Sequence, residues 1–388
     1  MHDSATVTDS RAAPVPLGAA TTWRRIALAL SVGTALVLIG NLLIVERSTG
    51  ATVEVLRVRG DALEYIAAAR AGIGAGRPPF RFRFVVPWLA GALPIGDLAA
   101  FRLIAYVAMA ATFAMTFDLA RRAGSSCRSA GLGVALVFGS PWTLYVFHNP
   151  FMTDAAAHVV IATQLVTLVA SATIPFVVLT LVGSGVRETT GVLAPALWSA
   201  GRRWPAAVAT FLVIAIFVAM RMLDGSEPRL IGAARERFAP AAIIRIGRDA
   251  LMGWAGLWVL APAGLLCIQG ATGTRLRAAT CWLLLGAALS SLVANDTGRM
   301  FAVLLVPFGV GAAIAIERLR PAARRTLTIA FIIGAVIVAV AWMPNRIVPL
   351  DSAVFQARAL RALALTGSAL PALVAAGLLY QGRHRRTT

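Results

Sequence analysis

The feature that most constrains this chain is a ladder of apolar runs, each about the length of a bilayer-spanning helix, separated by short clusters of arginine. Candidate helices fall at 26–45, 99–119, 129–147, 155–171, 173–186, 189–200, 205–222, 250–268, 278–294, 299–316, 326–343 and 363–380, about twelve in all. A span takes about 20 residues, so such a bundle uses nearly all of the 388 residues. Only 14% of residues are charged against 59% hydrophobic, and the mean hydropathy of +0.78 belongs to the membrane class. The expected fold class is an all-α integral membrane protein with one transmembrane domain over residues 23–382. A polar, Pro/Ala-rich N-terminus over 1–22 is expected to be disordered, and 383–388 to form a short tail. No small-residue cleavage site follows the first apolar run, which therefore reads as an uncleaved span. The runs 173–186 and 189–200 are too short to cross about 30 Å as straight helices, so they are either longer than drawn or form a broken pair shielded by its neighbours.

The formal net charge is +19, and all 36 residues counted as Lys plus Arg are arginine. Without lysine there is no Walker A loop and no Schiff-base chemistry. The arginines lie in short clusters between apolar runs, which is the distribution of membrane loops and argues against a nucleic-acid partner. With both termini in the cytoplasm, the inner side collects Arg24 and Arg25, Arg121, Arg122 and Arg128, Arg202 and Arg203, Arg275 and Arg277, Arg318, Arg320, Arg324 and Arg325, and the C-terminal Arg383, Arg385 and Arg386. The other side receives a long first loop over 46–98, the turn "HNPFMTDA", the pair Arg187 and Glu188, the loop 223–249, the turn "ANDTGRM" and the loop 344–362. Almost every acid other than Asp3, Asp9, Asp118 and Glu317 falls on that outer side. Acids at the edge of a bundle are costly, so the outer face is where chemistry is expected. Cys127, Cys267 and Cys281 show no CxxC spacing and read as small buried hydrophobes.

Within the first loop, "GDALEYIAAARAGIGAGRPPFRFRFVVPWLAGALP" predicts a helix of about three turns ended by Gly72, Gly74 and Gly76. Asp61, Glu64 and Tyr65 share one of its faces. Two readings stand side by side: Asp61 as N-cap with Glu64 completing a capping box, or a carboxylate set able to take a proton. After the glycines, arginine alternates with phenylalanine and the segment turns apolar, as expected of a helix lying at the interface. Arg81 and Arg83 read either as headgroup anchors or as a clamp for a lipid-borne phosphate, to which planar guanidinium is suited. Asp154 opens the fourth predicted span, either as its cap or as a second carboxylate, and His158 lies one turn further on the same face. With hard oxygen ligands, any metal at these acids would be of the Mg or Mn class. Arg187 with Glu188, and Asp296 with Arg299, read as opposite-charge pairs at span boundaries, while Ser140 and Pro141 mark a kink or break.

These residues, in this order, resemble the GT-C superfamily of membrane glycosyltransferases, close to its bacterial members. The resemblance rests on the long outer loop with an acid near its start, "PPFRFRFVVPWLAGALP", "AAFRLIAYVAMAATFAMTFDLARRAG", "NPFMTDAAAH", "GVRETTGVLAPALW" and "NDTGRMFAVLLVPF", and runs from about residue 26 to 316. It implies a GT-C-like bundle with juxtamembrane helices in the first outer loop, in a bacterial inner membrane. It also implies membrane lipid as a partner and a sugar donor carried on polyprenyl phosphate, transferred by an inverting displacement on the outer, periplasmic face. Asp61 matches the superfamily's acidic position. This chain departs from the paired signature, since the nearest second acid, Glu64, is one turn away. On the resemblance, Asp61, Asp154 and Glu64 are the candidates for chemistry. Arg81, Arg83, Arg299, Tyr65, Asp296, Glu188 and His158 are the candidates for binding.

Two other functions fit a polytopic bundle: a transporter or flippase of a lipid-linked or anionic substrate, and a non-catalytic scaffold. A transporter places ionisable residues near mid-span among broken helices, whereas these acids fall at the outer edge. A scaffold predicts no cavity joining Asp61 to Asp154.

Overall fold

The computed structural model describes residues 28–35, 61–72, 82–140, 142–143, 146, 151–224, 240–254, 256–291, 300–342, 370 and 374. Among them the chain is helical throughout, with no strand. Two short helices, α1 (Asp61–Ala71) and α2 (Val85–Ala92), precede the bundle. The bundle elements follow as α3 (Asp97–Arg122), α4 (Cys127–Phe138), α5 (Asp154–Val169), α6 (Thr173–Val186), a 3₁₀ helix (Glu188–Ala200), α7 (Arg203–Asp224), α8 (Pro240–Trp254), α9 (Leu257–Cys267), α10 (Gly270–Ser291), α11 (Leu305–Arg318) and α12 (Pro321–Trp342).

The core is built around α11, which packs on α9, α4 and α3 and buries nearly every residue from Leu305 to Ile316. Small residues make these crossings close. Gly311 lies against the backbone of Ala261 in α9, and Gly264 in turn meets the Gly311 carbonyl. Two residues earlier, on another flank, a Cβ on Gly309 would come within 2.6 Å of the Thr116 methyl in α3. Backbones that approach this closely gain dispersion and exclude lipid, which is how helices associate without a hydrophobic driving force.

The outward faces are apolar at helical spacing: Ile174, Val178 and Val182 on α6, Trp204, Val208, Phe211 and Met222 on α7, Ile329, Ile332, Ile333 and Val336 on α12. Apolar faces this extensive belong against lipid. Four buried hydroxyls of the bundle are satisfied within their own helix, Thr112 on the Ala108 carbonyl, Thr116 on Thr112, Thr180 on Phe176 and Ser184 on Thr180, as a medium without water favours. By length and composition, α3 alone among the described helices passes as a full span; α4, α5, α6, residues 203–219 of α7, and α9 are shorter apolar helices. A count of about twelve spans is therefore not reproduced, and the expected span 363–380 lies outside the described residues except for residues 370 and 374.

Three expected spans differ in instructive ways. The run 189–200 falls in a 13-residue 3₁₀ helix, Glu188–Ala200. At about 2.0 Å rise per residue it reaches about 26 Å, against about 20 Å as an α-helix. It is shielded by α6, α7 and α10, and the buried Gln164 of α5 ties it to α6, its amide donating to Thr180 Oγ1 at 3.0 Å and to the Thr190 carbonyl at 3.2 Å. The run 129–147 stops as α4 at Phe138. The Thr143 hydroxyl donates to the Val137 carbonyl at 2.8 Å, which also accepts from the Ser140 N–H at 3.1 Å, beside the Ser140–Pro141 step, where proline brings no N–H. The run 250–268 is split: α8 ends at Trp254 and α9 begins at Leu257. Trp254 is anchored there by its indole N–H on the Phe301 carbonyl at 2.9 Å and its ring against Phe308. Cys127 and Cys281 are exposed, not buried, and Cys267 is intermediate; a thiol is apolar enough to face lipid.

Candidate functional site

The first loop docks on the bundle by two contacts with different chemistry. Helix α1 ends at Gly72, whose φ of +88° is the left-handed conformation that glycine adopts without strain. Its Tyr65 is fully buried, packed with Val86, Ala90, Phe101 and Phe151. At the solvent side, Arg70 pairs with Asp97 at the start of α3, 2.6 Å apart. That second contact is exposed and worth little; the apolar seat of Tyr65 holds the helix.

The Tyr65 hydroxyl accepts from Arg83 Nη1 at 2.9 Å. The same guanidinium donates through Nε at 3.1 and 3.0 Å to the two carboxylate oxygens of Glu188, and its Nη2 lies 3.0 Å from Oε2. Burial acts to lower the pKa of Arg83, but the Glu188 carboxylate and the Tyr65 hydroxyl outweigh it, and the pKa is raised above the ordinary arginine value. Glu188 opens the 3₁₀ helix, so this cluster fastens the residues before α2 to an element about 100 residues later.

One residue back, Arg187 turns the other way. It pairs with Asp154 at the start of α5, both side chains about 2% exposed, and its Nη2 also lies 3.9 Å from Met300 Sδ. The expected pairing of Arg187 with Glu188 is secondary: Arg187 still acts electrostatically on the Glu188 carboxylate, but each finds its direct ion-pair partner in another segment, and Arg187 has extended backbone with φ −164° and ψ 136°. Nor is Asp154 a cap, because the N-cap position is Thr153 and no side-chain capping bond forms there. His158, one turn into α5, is 2% exposed and makes a hydrogen bond with the backbone at Ala302, while its Nδ1 is buried with no partner among the described residues.

Five of the residues singled out in the sequence thus gather at one end of the bundle: Tyr65, Arg83, Asp154, His158 and Glu188. Arg187 completes the arrangement. The sequence reads it only as half of a local pair; the signal that points to it is a lone arginine next to an acid at the junction of two apolar runs, where neither charge is stable without a remote partner. Glu64 is partly buried on α1. Residue 61 is the first of α1, one turn before Tyr65; its side chain, and Arg81, Asp296 and Arg299, lie outside the described residues. Among the described residues no group of three or more His, Cys, Asp or Glu could hold a metal ion. The Asp154 carboxylate faces a guanidinium, which competes with any cation for its oxygens.

No protein-family model matches the sequence, and no curated protein does. A solved structure, that of ArnT from Cupriavidus metallidurans bound to undecaprenyl phosphate, is similar over 92% of this chain and 77% of its own, at 13% identity and a TM-score of 0.51. At that identity the likeness is one of overall fold.

Proposed function

We propose that this chain is a membrane glycosyltransferase that transfers a sugar from a polyprenyl-phosphate donor to an acceptor hydroxyl at the outer face of the membrane. The observation that carries the reading is the docking of α1, which begins at Asp61, against the bundle end that also holds Asp154, Arg187 and Glu188, within a fold shared along most of the chain. The similar structure holds undecaprenyl phosphate, a lipid phosphate of the class the donor would release.

The division of labour follows from the pairing. Arg83 and Arg187 are matched to Glu188 and Asp154, so they serve as positioning residues that hold the loop and the 3₁₀ helix. Asp61 serves as general base. The acceptor oxygen attacks the anomeric carbon, its proton passes to the Asp61 carboxylate, and the bond from that carbon to the phosphate oxygen breaks in a single inverting displacement. The leaving lipid phosphate is already a stable anion and needs cationic donors, not an acid; Arg81 and Arg299 fill that role. Both termini are placed in the cytoplasm by the arginine distribution.

The test is full-length protein reconstituted in lipid with a panel of polyprenyl-phosphate sugars, reading release of polyprenyl phosphate. Release with at least one donor, dependent on an acceptor, is the expected result. No release with any donor, together with movement of a lipid-linked substrate between leaflets, would replace the enzyme by a transporter.

A further inference from the structure

At the opposite end of the bundle from Tyr65, Arg83 and Arg187 lies a cleft of about 340 Å³, bordered by the end of α3, the turn between α9 and α10, and the end of α11. Its lining combines two guanidiniums, Arg122 and Arg318, with the carboxylate of Glu317, the polar side chains of Gln269 and Thr272, and an apolar flank at Ile314. Each charged group is anchored by one neighbouring residue and retains further capacity. Arg122 gives its Nε to Asp118 at 2.5 Å, and Arg318 gives Nη2 to the Cys267 carbonyl at 3.0 Å; the other guanidinium nitrogens of both bond to nothing among the described residues. Glu317 is fixed from behind, its Oε2 accepting from the backbone N–H and the hydroxyl of Ser126 at 2.9 and 2.6 Å.

We infer that this cleft binds the headgroup of a zwitterionic phospholipid, its phosphate between Arg122 and Arg318 and its ammonium on Glu317. Two cations and one anion in one cleft match a phosphate beside an amine better than a bare phosphate, which Glu317 would repel. The apolar flank at Cys267, Ile268 and Ile314 suits the start of a lipid's acyl chains and offers nothing to a soluble anion. The arginine distribution puts this cleft in the inner leaflet, so the site is separate from the transfer site and does not depend on that activity.

Purified full-length protein, delipidated in detergent, is incubated with phosphatidylethanolamine, phosphatidylglycerol, diacylglycerol or soluble phosphoethanolamine, and bound lipid is counted by native mass spectrometry. The expected result is preferential retention of phosphatidylethanolamine, reduced about tenfold or more in Arg318→Gln and in Arg122→Gln, and unchanged in Arg128→Gln at the same bundle end. Should Arg318→Gln fail to fold, Arg122→Gln, an exposed position, carries the comparison. Equal retention in wild type and Arg122→Gln, preference for phosphatidylglycerol, or equal binding of diacylglycerol overturns the proposal. Soluble phosphoethanolamine binding as tightly as the lipid assigns the cleft to a soluble ligand and overturns the lipid reading.

Discussion

The two ends of this bundle use arginine in opposite ways. At the end that seats α1, two guanidiniums meet carboxylates from distant segments: Arg83 meets Glu188, and Arg187 meets Asp154. At the other end arginines mostly meet backbone carbonyls at helix termini. Arg275 donates to Val169 at 2.7 Å, Arg277 to Ile268 at 2.8 Å and Leu265 at 3.2 Å, Arg318 to Cys267 at 3.0 Å and Arg324 to Glu317 at 2.9 Å. The second pattern closes the carbonyl ends of helices with a charge that also suits their dipoles, and it costs little because the side chains stay near water. The first pattern takes four charges out of water and joins three separate parts of the chain. One end is capped; the other is clamped.

This contrast can be broken most forcefully at Arg187. Arg187→Ala leaves the Asp154 carboxylate buried without its partner, and should cost about 3–5 kcal/mol, read as a large fall in the melting temperature in detergent. The double replacement Arg187→Met with Asp154→Leu should recover most of that loss. A single variant that melts like wild type would mean the pair holds nothing.

The Arg83 cluster comes next. Glu188→Ala should weaken the docking of the first loop by about 1.5–3 kcal/mol, and Tyr65→Phe by less, both seen as faster proteolysis within residues 60–96. The pH dependence follows from sign. A pKa raised in the folded state adds stability that is present below the unfolded value and is lost only as pH climbs through the raised one. Proteolytic protection of this loop should therefore be flat between about pH 7 and 9. A loss of protection across that range would show that Arg83 does not carry the contact.

The smallest effects belong to the capped end. Arg275→Gln or Arg277→Gln should each cost about 0.3–1 kcal/mol, a shift of a degree or two in melting. Losses as large as that of Arg187→Ala would erase the distinction between the two ends.

How legible this was depended on the range of the interaction. Local patterns carried well: α1 begins at Asp61 and its last residue precedes Gly72, and the short runs at 173–186 and 189–200 do form a broken, shielded pair. What the pattern could not carry was helix type, because a run of apolar residues interrupted by Gly191 and Pro195 does not tell a 3₁₀ segment from an α-helix. The arginine clusters were legible as a charge bias, yet α10 begins at Gly270, so Arg275 and Arg277 lie in its first turns and reach back to finish other helices. Partner choice was the least legible. Arg187 beside Glu188 reads as a local pair in any sequence, and only the fold shows that each is claimed by a residue from another segment. Asp154 likewise reads as a cap until Arg187 is placed beside it.

The central claim is that the paired residues hold the site while Asp61 performs its chemistry. The most direct measurement is sugar transfer and thermal melting of Asp61→Asn beside wild type. Asn caps a helix about as well as Asp but accepts no proton. The account predicts unchanged melting with turnover reduced by about 10²-fold or more; an Asp61→Asn protein that folds normally and transfers sugar at near the wild-type rate would contradict it.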